Sequence, residues 1–121
     1  MTEPRSYFEL FRKDENRVTY PAGKVIFEEG LAGAEMYVVN SGTVEMKAGG
    51  KVLETIEAGG IFGEMALVDN EPRSASATAL TECELVAIDS KRFEYLLSRM
   101  PFFAVEVMRV MAQRLRRSIR A

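Results

Sequence analysis

The sequence has 121 residues, room for one domain and too little for two of ordinary size. Apolar residues make up 47% and charged residues 28%, which excludes collagen-like, disordered and coiled-coil classes, and no apolar run approaches the ~20 residues that span a bilayer. There is no histidine, one cysteine (Cys83) and a formal net charge of −2, so histidine-dependent catalysis, histidine or thiolate metal sites and an internal disulfide are excluded, a reducing, cytoplasmic compartment is expected, and nothing global attracts nucleic acid.

In chain order, residues 3–13 read as a short helix, with Tyr7, Phe8, Leu10 and Phe11 as its apolar stripe. Tyr20-Pro21-Ala22-Gly23 is a turn. The pattern then changes to strands at 24–28, 35–40, 43–48, 51–57 and 83–89, rich in Val, Ile, Tyr and Thr and separated by glycines. Regular short strands with turn signals predict a sandwich or barrel. Val44 and Met46 face in, Glu45 and Lys47 face out, and 48–51 reads as a hairpin loop. Ser90 is the expected N-cap of a helix over 91–99 with Phe93, Leu96 and Leu97 on one face. Pro101 suits the first turn of a second helix running to about Ser118. Its inner side is expected to carry Ala104, Val107, Met108, Met111 and Leu115. Residues 109–121 hold five arginines and no acid, which suits the negative end of a helix.

Residues 59–79, GGIFGEMALVDNEPRSASATA, carry the densest chemistry. Gly59, Gly60 and Gly63 let backbone approach a ligand closely. Phe62–Leu67 can open a short helix after a strand, and the free N–H groups of a helix start attract anions. Arg73 offers a planar fork of donors suited to phosphate oxygens. Ser74 and the small Ala75, Ala77 and Ala79 crowd nothing around it. Ionised Glu64 is acceptor-only and suits hydroxyl groups. An anion and a hydroxyl-bearing sugar in one pocket fit this set. The plain alternative is an internal salt bridge between Arg73 and Glu64 with no ligand. For Cys83 the expectation is a buried strand residue, and for Phe102, Phe103, Met108 and Met111 it is core and helix packing.

The segment resembles the phosphate-binding cassette of the cyclic nucleotide-binding domain family. That pattern is Phe-Gly-Glu, an apolar pair, a short acidic loop, then Pro-Arg-Ser/Thr/Ala-Ala. Here it reads Phe62-Gly63-Glu64-Met65-Ala66-Leu67, Val68-Asp69-Asn70-Glu71, Pro72-Arg73-Ser74-Ala75. Pro21-Ala22-Gly23, Glu29-Gly30 and Val38-Val39-Asn40-Ser41-Gly42-Thr43-Val44 resemble the family's β-roll turns in order, and Lys91-Arg92-Phe93 through Pro101 resembles its hinge helix.

The resemblance implies a single domain over 1–121 of the α+β class. It would be an antiparallel β-roll (a double-stranded β-helix or jelly-roll) with a short N-terminal helix, a short cassette helix and two C-terminal helices. It implies a non-enzymatic sensor whose ligand is cAMP, favoured, or cGMP. Arg73 would pair with the exocyclic phosphate oxygens. Gly63, Met65 and Ala66 would add backbone N–H groups, and Ser74 its hydroxyl and N–H. Glu64 would accept from the ribose 2′-OH. Met46, Leu53 and Ile56 would touch sugar or base, and Arg114, Arg117 and Ser118 would meet the purine as the last helix closes. No metal or other cofactor is implied. The expected partners are the cyclic mononucleotide and an effector protein, with no membrane and no helix-turn-helix following the last helix. The rival readings are a protein-interaction module of the same fold without nucleotide, a pocket for another phosphate-bearing ligand such as a cyclic dinucleotide, and a phosphodiesterase. The last is disfavoured because such hydrolysis usually needs a metal and histidine.

Overall fold

A computed structural model describes residues 11, 12 and 14–120, so most of the helix expected over 3–13 lies outside the described residues. The strands are β1 (Arg17–Tyr20), β2 (Val25–Phe27), β3 (Glu35–Ser41), β4 (Val44–Ala48), β5 (Lys51–Ile56), β6 (Ile61–Phe62), β7 (Ser76–Ala79) and β8 (Cys83–Asp89). The helices are α1 (Glu64–Asp69), α2 (Ser90–Arg99) and α3 (Pro101–Arg120). Two four-stranded antiparallel sheets form, in the orders β1-β8-β3-β6 and β2-β7-β4-β5. This is the α+β antiparallel β-roll expected from the sequence.

The two central strands explain the layering. Side chains alternate across a strand. In β3, Met36 and Val38 join one apolar cluster while Tyr37 and Val39 join another. In β8, Val86 and Ile88 go with the first, Cys83 and Leu85 with the second. The first cluster packs beneath α2 and α3 through Phe93, Leu96, Phe103 and Val107. The second fills the space between the sheets, where Val44 and Met46 face in from β4 as expected. Ala77 and Ala79 of β7 are fully buried there.

Three strands were not legible in the sequence. β1 is an edge strand with mostly exposed side chains, β6 has two residues, and β7 (SATA) is built, apart from Thr78, from residues of weak strand preference. The β4–β5 hairpin turns at Gly49 and Gly50, whose φ values of 59° and 77° match the turn that suits twisted strands.

Two helix details differ from expectation. The N-cap of α2 is Asp89, not Ser90: its Oδ1 accepts from Arg92 N at 2.9 Å. On α3, Phe103 and Val107 are buried and Ala104, Val110, Met111 and Arg114 half-buried, whereas Met108 and Leu115 are 60% and 63% exposed. The inner row 103, 107, 110, 114 begins on the core residues Phe103 and Val107 and ends on Arg114 with its ion pairs, and Met108 and Leu115 lie off that row. Phe102 likewise faces out, at 49% exposed.

Candidate functional site

The cassette folds as β6, a turn at Gly63, α1, a loop closed at Asn70, and β7. Gly63 caps α1 without a side-chain hydrogen bond. Among the described residues, Glu64 and Arg73 are the buried charged side chains, and both come from this segment. Burying a charge is costly unless it is paired and hydrogen-bonded.

Arg73 is held from several sides. Its backbone pairs with the loop before β3, with Arg73 N donating to Leu31 O and Gly30 N donating to Arg73 O, each at 2.8 Å. Its Nη1 donates to Gly63 O at 2.9 Å and its Nη2 to Glu35 O at 2.6 Å. Its Cζ lies 3.9 Å from the Phe27 ring centroid, a cation–π contact. Burial pushes the guanidinium below its ordinary pKa, partly offset by Tyr37, Glu35 and Glu64. Arg73 Nε has no hydrogen-bond partner among the described residues. Burial likewise pushes the Tyr37 phenol well up, helped by Tyr20 and Glu35.

Glu64 does not pair with Arg73. Its Oε2 accepts from Arg114 Nη1 at 2.6 Å, and its Oε1 is buried and unpartnered among the described residues. Arg114 donates from all its edges, with Nε to Glu54 Oε2 at 2.5 Å and Nη2 to Ile61 O at 3.0 Å. Arg117 Nη1 also reaches Glu54 Oε2, at 3.4 Å. Burial lowers the pKa of Arg114, but its two carboxylate partners outweigh burial and hold it above the ordinary value. The internal salt bridge of the plain reading is therefore replaced by two separate arrangements, one cationic and one a charge-balanced bridge to α3.

A cavity of about 560 Å³ lies between them. Of the residues expected at the site, Met46, Leu53, Gly63, Glu64, Met65, Ala66, Arg73, Ser74, Arg114, Arg117 and Ser118 line it. Ile56 is the exception. Its side chain is buried in the cluster between the sheets, because the inward parity of β5 carries its last residue into the core. Phe27, Glu54 and Leu115 line the cavity without having been expected. Glu54 adjoins Leu53 on β5, but its part in the site depends on the ion pair with Arg114 of α3, which no local pattern announces. Phe27 is reached only through the fold, across the sheets.

Such a cavity suits one chemistry. Arg73 offers donors to an anion, Glu64 offers an acceptor oxygen to a hydroxyl, and Val52, Leu53, Met65 and Leu115 offer apolar walls to a flat ring. Among the described residues no group of His, Cys, Asp or Glu is placed to hold a metal, and no helix is long and apolar enough to cross a membrane.

Fold and cavity together define a ligand-binding β-roll. The model of the cyclic nucleotide-binding domain matches residues 17–100, and the chain belongs to that family. A cyclic AMP receptor protein of Thermus thermophilus is 39% identical over 105 residues, covering 83% of this chain and 49% of the receptor. The chain thus spans about half the length of that relative. The Thermus thermophilus catabolite activator protein structure superimposes with a TM-score of 0.81 at 34% identity, over 96% of this chain and 60% of that one. An EAL enzyme resembles it in a cAMP-bound form (TM-score 0.65, 35% identity, 84% of this chain and 28% of that one) and in a cGMP-bound form (0.67, 33%, 86% and 29%).

Proposed function

We propose that the cavity binds a cyclic mononucleotide, cAMP in preference to cGMP, and that movement of α3 passes the signal to an effector protein. The carrying observation is that the buried charged side chains of the cassette, Arg73 and Glu64, both line one cavity and each keeps an unpartnered polar atom. An unmade hydrogen bond in a buried group costs about 1–3 kcal/mol, so a ligand that makes it gains affinity.

In this reading Arg73 takes the phosphate, with N–H groups of the first turn of α1 and the Ser74 hydroxyl beside it. Glu64 Oε1 accepts from the sugar. The base lies against Leu53, Met65 and Leu115, beneath Arg117 and Ser118. Arg114 links α3 directly to Glu64, which supports a coupling between sugar contact and helix position. A ligand shifts such an equilibrium only by its differential affinity for the two positions. The domain acts as a sensor rather than an enzyme.

Calorimetric titration with cAMP and then cGMP, with Arg73→Ala as control, tests the reading. The expected result is micromolar or tighter binding, stronger for cAMP and lost in the variant. Heat from neither nucleotide overturns it and leaves a protein-interaction module or a pocket for another phosphate-bearing ligand.

A further inference from the structure

We propose that Glu54 is a positioning residue for the sugar-binding carboxylate: from β5 it holds Arg114, and Arg114 in turn holds Glu64. This role rests on the cyclic-nucleotide reading above. The geometry is a relay through one planar group. Glu54 Oε2 receives Arg114 Nε at 2.5 Å, and Glu64 Oε2 receives Arg114 Nη1 at 2.6 Å. A guanidinium is rigid and flat, so fixing one edge fixes the direction of the others. The third edge is fixed too, by Ile61 O at 3.0 Å.

Each carboxylate has a different part. Glu64 is buried and its Oε1 is unpartnered, so the rotamer of Glu64 decides where that acceptor stands. Glu54 is half-buried, lines the cavity and shares Arg114 with Glu64, so it acts on Glu64 through that guanidinium. Arg117 adds a second guanidinium to Glu54 at 3.4 Å, one helical turn from Arg114. Two carboxylates and two guanidiniums then balance at this end of the cavity. Without Glu54, Arg114 keeps Glu64 and Ile61 O but loses the carboxylate on its Nε edge, and Arg117 loses its carboxylate.

The test separates positioning from general support. Wild-type protein and Glu54→Ala are titrated with cAMP and with 2′-deoxy-cAMP, and thermal midpoints are recorded for both proteins. Removing a negative charge near an anionic ligand changes both affinities together, so the ratio between the ligands cancels that effect. In the wild type, cAMP is expected to bind about tenfold or more tighter than the deoxy analogue, the scale of one hydrogen bond to a charged group. In Glu54→Ala, which leaves Arg114 Nε no acceptor on β5, this preference is expected to fall to about threefold or less, because the Glu64 acceptor is no longer aimed. An unchanged preference overturns the role, whatever happens to the separate affinities or to the midpoint. Equal wild-type binding of the two ligands removes Glu64 from the sugar, and Glu54 with it, while the nucleotide reading stands. Wild-type binding of neither ligand defeats the nucleotide reading itself.

Discussion

Gly33 and Arg73 fit together because residue 33 has no side chain: a Cβ there would stand 2.3 Å from Arg73 Nε and 2.4 Å from its Cζ. The guanidinium has little freedom to step aside, since Gly63 O, Glu35 O and the Phe27 ring hold it. Gly33→Ala therefore displaces the cation without removing its charge. The expected outcome is a loss of cyclic-nucleotide affinity of about tenfold or more. Arg73→Ala removes the charge itself and should weaken binding by roughly 10²–10³-fold, from the ~3–5 kcal/mol cost of breaking a buried charged pair. Calorimetry on both variants checks this, and wild-type affinity in Gly33→Ala would mean that the observed guanidinium position is not the one that binds.

Glu64→Gln keeps an acceptor oxygen in place but takes a carboxylate from Arg114. The affinity for cAMP should fall by less than in Arg73→Ala, about tenfold. Measured side by side, a greater loss in Glu64→Gln than in Arg73→Ala would invert the roles given to the two residues.

Much of this was legible in the sequence, for physical reasons that differ by element. β8 was read with its observed bounds, Cys83–Asp89, because a central strand repeats apolar residues on both faces. The cassette was legible because Gly63, Glu64 and Arg73 are local in sequence and chemically distinctive. β7 was not, since its alanines serve close packing between sheets, a need that no local pattern announces. The partner of Glu64 was missed for a similar reason. Arg114 lies fifty positions away, and only the packing of α3 on the roll brings it to the cavity. The same packing misled the reading of α3, where apolar character pointed Met108 into the core, whereas the helix rests on the row through Phe103, Val107 and Arg114, leaving Met108 exposed and Leu115 at the cavity.

Base choice is expected to turn on Ser74. Its hydroxyl makes one weak contact, to Met65 Sδ at 3.9 Å, so it is free to turn toward a ligand. Guanine carries an exocyclic amino donor that adenine lacks at the same position, and a hydroxyl can accept from it. Ser74→Ala should therefore lower cGMP affinity by about 3–10-fold and change cAMP affinity less. Competition binding with both nucleotides gives the ratio. An equal loss for the two would assign the hydroxyl to the shared phosphate instead of the base.

Asp14 ties the segment before β1 to α2. Its Oδ2 accepts a short hydrogen bond from Arg92 Nη2, and its Oδ1 accepts from Asn16 N at 2.8 Å. The hydrogen bond from Arg92 is the main cause that holds the Asp14 pKa below its ordinary 3.8, against the opposing effect of burial. A carboxyl with a depressed folded pKa contributes stability that is fully present above its unfolded value. That contribution is lost as pH falls through the folded value, so the window lies below 3.8. Asp14→Asn removes the charge but keeps an acceptor for Asn16 N. It should cost about 1 kcal/mol at pH 7, the scale of a partly exposed charged pair. Urea unfolding of both proteins at pH 7, 5, 4 and 3 would follow the difference. It is expected to hold from pH 7 to 5 and to shrink below pH 4. A difference that stays constant down to pH 3 would mean that Asp14 acts through packing and not through its charge.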